Sequence, residues 1–182
     1  MTNGTYISLG GSSSRLSTRV CHLSFMSVAV TVSEGSIHSI HLCERMEYTH
    51  TYPSNGQHGS AHAHYCLDLL DTIEQRLRCG LDLSDLPVTQ RGTEFQRKVW
   101  RHIRSIPRGL VASYAEVASA IGHPRAVRAV ANACACNTVA LAIPCHRVVR
   151  SDGALGGFRW GITLKERLLF IEHKSETGLT DE

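Results

Sequence analysis

The chain has 182 residues, enough for one domain or two small ones with a modest core. Its hydrophobic fraction of 42% is ordinary, and no apolar run reaches the length of a membrane-spanning helix, so no membrane association is expected. The net charge of +3 hides an asymmetry: residues 91–173 hold 13 Lys/Arg against 5 Asp/Glu, a balance of +8, while the remainder stands at −5. A basic half beside an acidic half points to a polyanion partner, with a merely solvated basic face as the alternative.

In chain order, residues 1–19 are rich in Ser, Thr and Gly, carry Arg15 and Arg19 and lack acidic residues. They read as a disordered leader, with a transit peptide as the alternative, and no secretory h-region follows Met1. The seven cysteines are scattered and odd in number, which argues against a disulfide framework and for a reducing compartment: the cytoplasm, or the nucleus in a eukaryotic host.

Residues 20–80 read as a small α/β domain. Val28–Val32 alternates, Glu34-Gly35-Ser36 makes a hairpin turn, and Ile37–Leu42 continues the pattern, so two or three antiparallel strands are expected. Polar residues 49–60, with Pro53, Asn55, Gly56 and Gly59, read as a surface loop. Leu67, Leu70, Ile73, Glu74 and Leu77 follow helical spacing, and Gly80 closes that helix. Residues 81–92 read as a linker, residues 93–175 as a helical C-terminal domain, and 176–182 as a tail.

Punctuation in the second half is clear. Thr93 can cap a helix with Phe95, Val99, Ile103 and Ile106 on one face, ended by Pro107. Ser113-Tyr114-Ala115-Glu116 has the capping-box pattern and opens a helix that stops at Gly122. Pro124 fits the first turn of the next helix, which runs to about Asn137, so the two form a helix-turn-helix candidate. In that second helix Val127, Val130, Ala131 and Cys134 share an expected core face. Arg125, Arg128, Ala129, Asn132, Ala133 and Cys136 lie opposite, a small-residue surface with arginines that suits close approach to a nucleic-acid backbone. Thr163-Leu164-Lys165-Glu166 repeats the capping box and opens a final helix to about His173.

The most informative run is Ile143-Pro144-Cys145-His146-Arg147-Val148-Val149. A free thiol with a pKa near ~8.5 is mostly protonated at neutral pH and needs a base or a positive potential to act as a nucleophile. His146 is such a base, and Glu172 on the last helix can orient it. The alternative for any Cys-His pair is an inert buried thiol.

Pro144-Cys145-His146-Arg147-Val148-Val149 resembles the active-site signature of the O6-alkylguanine-DNA alkyltransferases. The resemblance covers residues 20–175 and is strongest from Arg91 to Glu172. The run from Ser151 to Gly161 looks most like the bacterial branch, which includes the C-terminal domain of the Ada adaptive-response protein. It implies an α+β fold: a small antiparallel sheet with a helix, ribonuclease H-like, followed by a helical domain with a helix-turn-helix. Cys145 would accept the alkyl group, His146 would deprotonate it through a water, and Glu172 would hold the histidine tautomer. Tyr114 would turn the target nucleotide outward and hydrogen-bond the flipped guanine, and Arg128 would fill its vacated place in the duplex. Arg125, Ala129 and Asn132 would join the DNA face, lying in the minor groove. Asn137 would brace the turn between that helix and the active-site loop. The carbonyls of Cys145 and Val148 would accept from the guanine amino group, and the Arg159 amide would donate to O6. Phe158 stands where a tyrosine is often found and would pack the alkyl side. Ala140 and Trp160 would shape the pocket, the indole narrowing it against bulky groups.

The partner implied is double-stranded DNA containing O6-alkylguanine, bound by a monomer without a cofactor; O4-alkylthymine is a second expected substrate. Some relatives hold a structural zinc, but Cys21, His22, Cys43, His58, His62 and His64 show no convincing ligand spacing, and no metal is expected. Two other classes are compatible with parts of the pattern. A non-enzymatic damage sensor of this fold would lack the acceptor thiol that Cys145 supplies, and a Cys-His hydrolase would need an oxyanion motif that is not evident.

Overall fold

The structure is a computed structural model that describes residues 5–9, 16–44 and 61–177. The chain divides into two compact units: residues 1–90 with 138–142, and residues 91–137 with 143–182. Among the described residues no helix is long and apolar enough to cross a membrane.

The first unit mixes sheet and helix. Strands β1 (Thr5–Leu9), β2 (Leu16–His22), β3 (Met26–Ser33) and β4 (Ser36–Glu44) form an antiparallel meander in that order. Ser33 pairs with Ser36, leaving Glu34 and Gly35 as a two-residue loop, both at positive φ (49° and 72°). That is the primed turn whose twist matches its strands. Val28, Val30, Val32, Ile37 and Ile40 are fully buried, and helix α1 (Ala61–Arg78) packs on β2 and β3 through Cys66, Leu70 and Ile73. Arg19 is buried in β2, where Asp71 and Glu74 of α1 accept from its guanidinium at 2.6 and 3.0 Å. A buried cation needs such partners to offset its lost hydration. The helix ends in a Schellman motif: Gly80 at φ 64° lets Leu81 N–H reach the Arg76 carbonyl (2.8 Å) and its own N–H reach Leu77 (3.3 Å).

Three sequence expectations need correction here. Part of the leader is strand, since Thr5–Leu9 pairs with Leu16–Val20. Thr5, Tyr6 and Ile7 are good strand formers, and the Ser/Gly-rich surroundings masked them. The segment read as a linker is partly built into this unit: Leu83 and Leu86 are buried, and Ile37 bridges Val88. Ala140 belongs to this unit as well; its N–H donates to Ile40 at 3.2 Å beside the Ile40–Val139 bridge. The expected loop at 49–60, with His58, and the tail beyond residue 177 lie outside the described residues.

The second unit is mainly helical. Helix α2 (Glu94–Arg104) starts at Thr93, whose hydroxyl accepts from Gln96 N–H while Gln96 reaches back to Thr93 N–H, a complete capping box. Val99, Trp100 and Ile103 form its buried face, and the Trp100 indole donates to the Ala133 carbonyl at 2.8 Å. Strand β5 (Ala112–Ser113) leads into α3 (Tyr114–Ala120), then α4 (Val127–Ala135), β6 (Val148–Val149) and α5 (Ile162–Thr177). Helices α2, α3 and α4 pack on one another.

Boundaries and faces differ from the sequence expectations at three points. Pro124 and Arg125 form a turn before α4 rather than its first turn, and α4 ends at Ala135. Val127 is exposed while Ala133 is buried, because the first turn of α4 faces solvent and the Trp100 bond draws the other side inward. Helix α5 begins at Ile162 rather than after Thr163: Gly161 adopts φ 97° and accepts the first helical bond from Lys165 N–H.

Candidate active site

The site grows from a short parallel pairing. Ala112 lies opposite Val148 and Ser113 opposite Val149, so the start of α3 sits beside the 3-10 turn Cys145–Arg147. Ser113 caps α3 through a box with Glu116, which holds Tyr114 as the first helical residue. Sequence-adjacent Cys145 and His146 and sequence-distant Tyr114 thus belong to one construction.

Cys145 is 3% exposed. The amide nitrogen of buried Asn137 donates to its sulfur at 3.1 Å and to the Ile143 carbonyl at 2.8 Å. Burial pushes the Cys145 thiol up to about 11, with the Asn137 hydrogen bond and the Lys165 charge pulling the other way. At neutral pH this sulfur is a protonated thiol that requires a base.

His146 Nε2 lies 3.0 Å from Glu172 Oε1. Facing a carboxylate, Nε2 carries the proton, so Nδ1 carries the basic lone pair; Nδ1 is buried and has no hydrogen-bond partner among the described residues. Burial lowers the His146 pKa even though the Glu172 hydrogen bond and charge favour protonation. Burial alone would raise Glu172, but the hydrogen bonds from His146 and Arg147 prevail and hold its carboxyl well below the usual range.

Arg147 was not singled out from sequence. It is buried, and its Nε and a terminal nitrogen reach Glu172 Oε2 and Oε1 at 2.9 and 2.8 Å, while its other terminal nitrogen donates to the Ile106 carbonyl at 2.8 Å. Gly109 N–H adds a longer bond to Oε2 at 3.4 Å. Lys165 was also missed, noted only as part of the capping-box pattern that opens the last helix; its side chain is fully buried. The signal was spacing: Lys165, Leu168 and Glu172 recur at helical intervals and form one buried stripe with Leu164.

A cavity of about 230 Å³ adjoins Cys145. Its walls are Tyr114, the Ala131, Cys134 and Ala135 side of α4, and the loop Gly157-Phe158-Arg159. That is below the ~300–1,000 Å³ of typical small-molecule sites. The Tyr114 hydroxyl donates to the Gly157 carbonyl at 3.4 Å, and burial pushes its pKa up to about 12, keeping it a donor. The Phe158 ring lies edge-on to His146 (6.4 Å) and to Trp160 (5.1 Å). The exposed Arg159 donates to the Ala135 carbonyl at 3.3 Å.

Three expected pocket residues do not line this cavity. Ala140 is taken up by Ile40 in the first unit. Trp160 is half-buried outside the wall, against Phe158. Val148 is buried and its carbonyl accepts from Lys165 at 2.6 Å, while the Cys145 carbonyl accepts from Val148 N–H. Arg125, Arg128, Ala129 and Asn132 are all exposed, on α4 or just before it. Among the described residues no group of three or more His, Cys, Asp or Glu could hold a metal ion, and His58 lies outside them.

Comparison with known proteins gives a consistent set. Residues 94–174 match the family model of the 6-O-methylguanine DNA methyltransferase DNA-binding domain. The bifunctional transcriptional activator/DNA repair enzyme Ada of Escherichia coli is 56% identical over 91 residues, 50% of this chain and 26% of Ada. A methylated-DNA–protein-cysteine methyltransferase of Kluyveromyces lactis is 54% identical over 78 residues, 43% of this chain and 41% of that protein. The matched stretch thus spans well under two thirds of these curated relatives. The crystal structure of Mycobacterium tuberculosis OGT in complex with DNA superposes with a TM-score of 0.67 at 31% identity, covering 85% of this chain and 91% of that one.

Proposed function

The chain belongs to the 6-O-methylguanine DNA methyltransferase family, and from that premise we propose that it repairs alkylated duplex DNA by moving a methyl or small alkyl group from guanine O6 to Cys145. The observation that carries this reading is the buried Cys145 thiol, held by Asn137 beside a base-sized cavity, next in sequence to a histidine whose Nε2–H is committed to Glu172.

The resident groups divide the work. His146 takes the thiol proton on Nδ1 through a water, and Glu172 stabilises the imidazolium that forms. A sulfur–carbon bond forms as the carbon–O6 bond breaks, and the electron pair returns to guanine. The proton lost by sulfur balances the one guanine takes up in place of the alkyl group. Tyr114 and the Arg159 amide donate to the base and make it a better leaving group. The thioether has no route back to a thiol in this site, so each molecule acts once.

Cys145 is buried at the cavity, so a base reaches it only once turned out of the duplex. Helices α3 and α4 serve as a helix-turn-helix in the minor groove, with exposed Arg125, Ala129 and Asn132 against the backbone and Arg128 filling the vacated stack. An alkylated guanine pairs poorly, so its extrusion costs less than the usual few kcal/mol. The first unit is a ribonuclease H-like partner domain; O4-alkylthymine is a second substrate, and the protein works as a monomer without metal or cofactor.

A duplex carrying O6-methylguanine tests the reading. Methyl should appear on the Cys145 peptide, and Cys145→Ala should bind the duplex without accepting the group. Transfer to another residue, or undiminished transfer by Cys145→Ala, would overturn it.

A further inference from the structure

Cys134 is a buried nucleophile that the mechanism above leaves unused. It lies in the stripe Ala131, Cys134 and Ala135 that α4 presents to the cavity, and Cys145 lines the same cavity. Both thiols are free and nearly fully buried, at 6% and 3% exposure. None of the other five free cysteines lines it. Asn137 is bonded to both residues. Its backbone N–H donates to the Cys134 carbonyl at 3.2 Å, and its side-chain amide donates to the Cys145 sulfur at 3.1 Å. One residue thus fixes the end of α4 against the acceptor turn, with a thiol on each side.

The surroundings decide what such a pair can take. Burial pushes the Cys145 thiol up to about 11 and raises the Cys134 thiol as well, so both sulfurs are protonated at neutral pH. A structural zinc ion asks for four ligands, and among the described residues no group of three or more His, Cys, Asp or Glu could supply them. A trivalent arsenic that carries one organic group asks for two sulfurs only. Each arsenic–sulfur bond forms as an arsenic–oxygen bond breaks, and the thiol proton leaves with that oxygen as water. Arsenic stays trivalent, no oxidant is consumed, and the product is neutral, which suits a cavity that disfavours charge. Tyr114 and Phe158 in the wall offer aromatic surface to an aryl substituent. The cavity of about 230 Å³ has room for one ring, since an apolar cavity of ~150 Å³ holds benzene.

We propose that Cys134 and Cys145 form a dithiol site for monosubstituted trivalent arsenicals, the two sulfurs bridging one arsenic inside the acceptor cavity. Occupancy takes Cys145 out of service. A competing dithiol restores it, whereas the thioether left by alkyl transfer stays. The site needs only the two thiols and the cavity, so it stands apart from the alkyl-transfer reading.

Phenylarsine oxide on the full chain is the probe. One equivalent should add a single phenylarsenic group by intact mass, remove two titratable thiols, and join the Cys134 and Cys145 peptides. Iodoacetamide labelling of Cys145 should fall about tenfold or more in the loaded protein and return after treatment with 2,3-dimercaptopropanol. Excess 2-mercaptoethanol should leave the parent adduct in place, because the second sulfur holds the arsenic at high effective concentration. Cys134→Ser has one sulfur in the cavity, and the monothiol should strip its adduct about tenfold faster or more. Cys136→Ser, on the same helix but off the cavity, should hold arsenic as the parent does. Equal loss of arsenic from the parent and Cys134→Ser would overturn the proposal, as would a bridge mapped to any other pair of cysteines. If Cys134→Ser does not fold, peptide mapping of the parent decides: arsenic between Cys134 and Cys145 supports the site, and any other location overturns it. A parent that transfers no methyl but forms this bridge would sink the alkyl-transfer reading and leave the dithiol site standing.

Discussion

Arg147 grips Glu172 through two parallel hydrogen bonds, Nε to Oε2 at 2.9 Å and a terminal nitrogen to Oε1 at 2.8 Å, and the same Oε1 also accepts from His146. The carboxylate is thereby fixed in orientation before His146 uses it. Glu172→Gln and His146→Ala should each slow transfer far more than they weaken DNA binding, since both tune the sulfur and neither touches DNA. Arg147→Lys keeps the charge but loses the fork, and should cost about tenfold or more in transfer rate through misplacement of Glu172. Rates of transfer to Cys145 and of iodoacetamide labelling across pH check this. Unchanged labelling in both the Glu172 and His146 variants would break the relay assignment.

The same pair makes the fold sensitive to acid in two stages. His146 has a folded pKa below its unfolded value of ~6.5, because burial disfavours the imidazolium. Between those two values the unfolded chain binds the extra proton, so stability should decline as pH drops below about 6.5. Glu172 has a folded pKa far below its unfolded value of ~4.3; its contribution is complete above that pH and is lost as pH falls further. Urea melts from about pH 8 to pH 4 should show both declines, and His146→Asn should remove the first. A flat midpoint from about pH 8 to pH 5 would contradict the histidine environment described.

Arg128 is exposed on α4 and makes no part of the cavity wall. Arg128→Ala should therefore impair repair in duplex strongly and leave reaction with free alkylguanine base within about twofold. Affinity of the parent for DNA should fall with salt, as phosphate contacts require. Equal losses on both substrates would place Arg128 in support of the fold.

Much of this was legible because its determinants are local. Ser113 and Glu116 form their box within one turn, Glu34-Gly35 sets its own hairpin, and the run Pro144–Val149 carries thiol and base side by side. What escaped depends on distant partners. Ala140 was placed at the pocket by its nearness in sequence to Cys145, yet Ile40 on β4 takes its N–H. Lys165 entered the sequence reading only as part of a capping-box pattern, and the carbonyls of Val148, Leu155 and Gly157 explain its burial. Strand β1 was hidden by the Ser/Gly composition around it, since pairing with β2 rather than composition decides its state.

Trp160 gives a prediction that the structure reverses. From sequence it narrows the pocket, and its removal should speed inactivation by O6-benzylguanine about tenfold. The indole packs edge-on to Phe158 at 5.1 Å and is not among the residues that line the cavity. Trp160→Gly removes one aromatic pair, worth ~0.5–1.5 kcal/mol of order at Phe158. It should change benzylguanine inactivation by about threefold or less. A tenfold gain would return the indole to the pocket mouth.

On this mechanism Cys145 is consumed by the reaction it performs. Mixing the protein with excess duplex carrying O6-methylguanine and counting repaired bases against protein molecules tests this most directly. A single burst of one repaired base per active molecule, with no later turnover and the methyl retained on Cys145, is the predicted result. Steady repair continuing well past one base per molecule, with Cys145 recovered as a free thiol, would rule out single-use transfer.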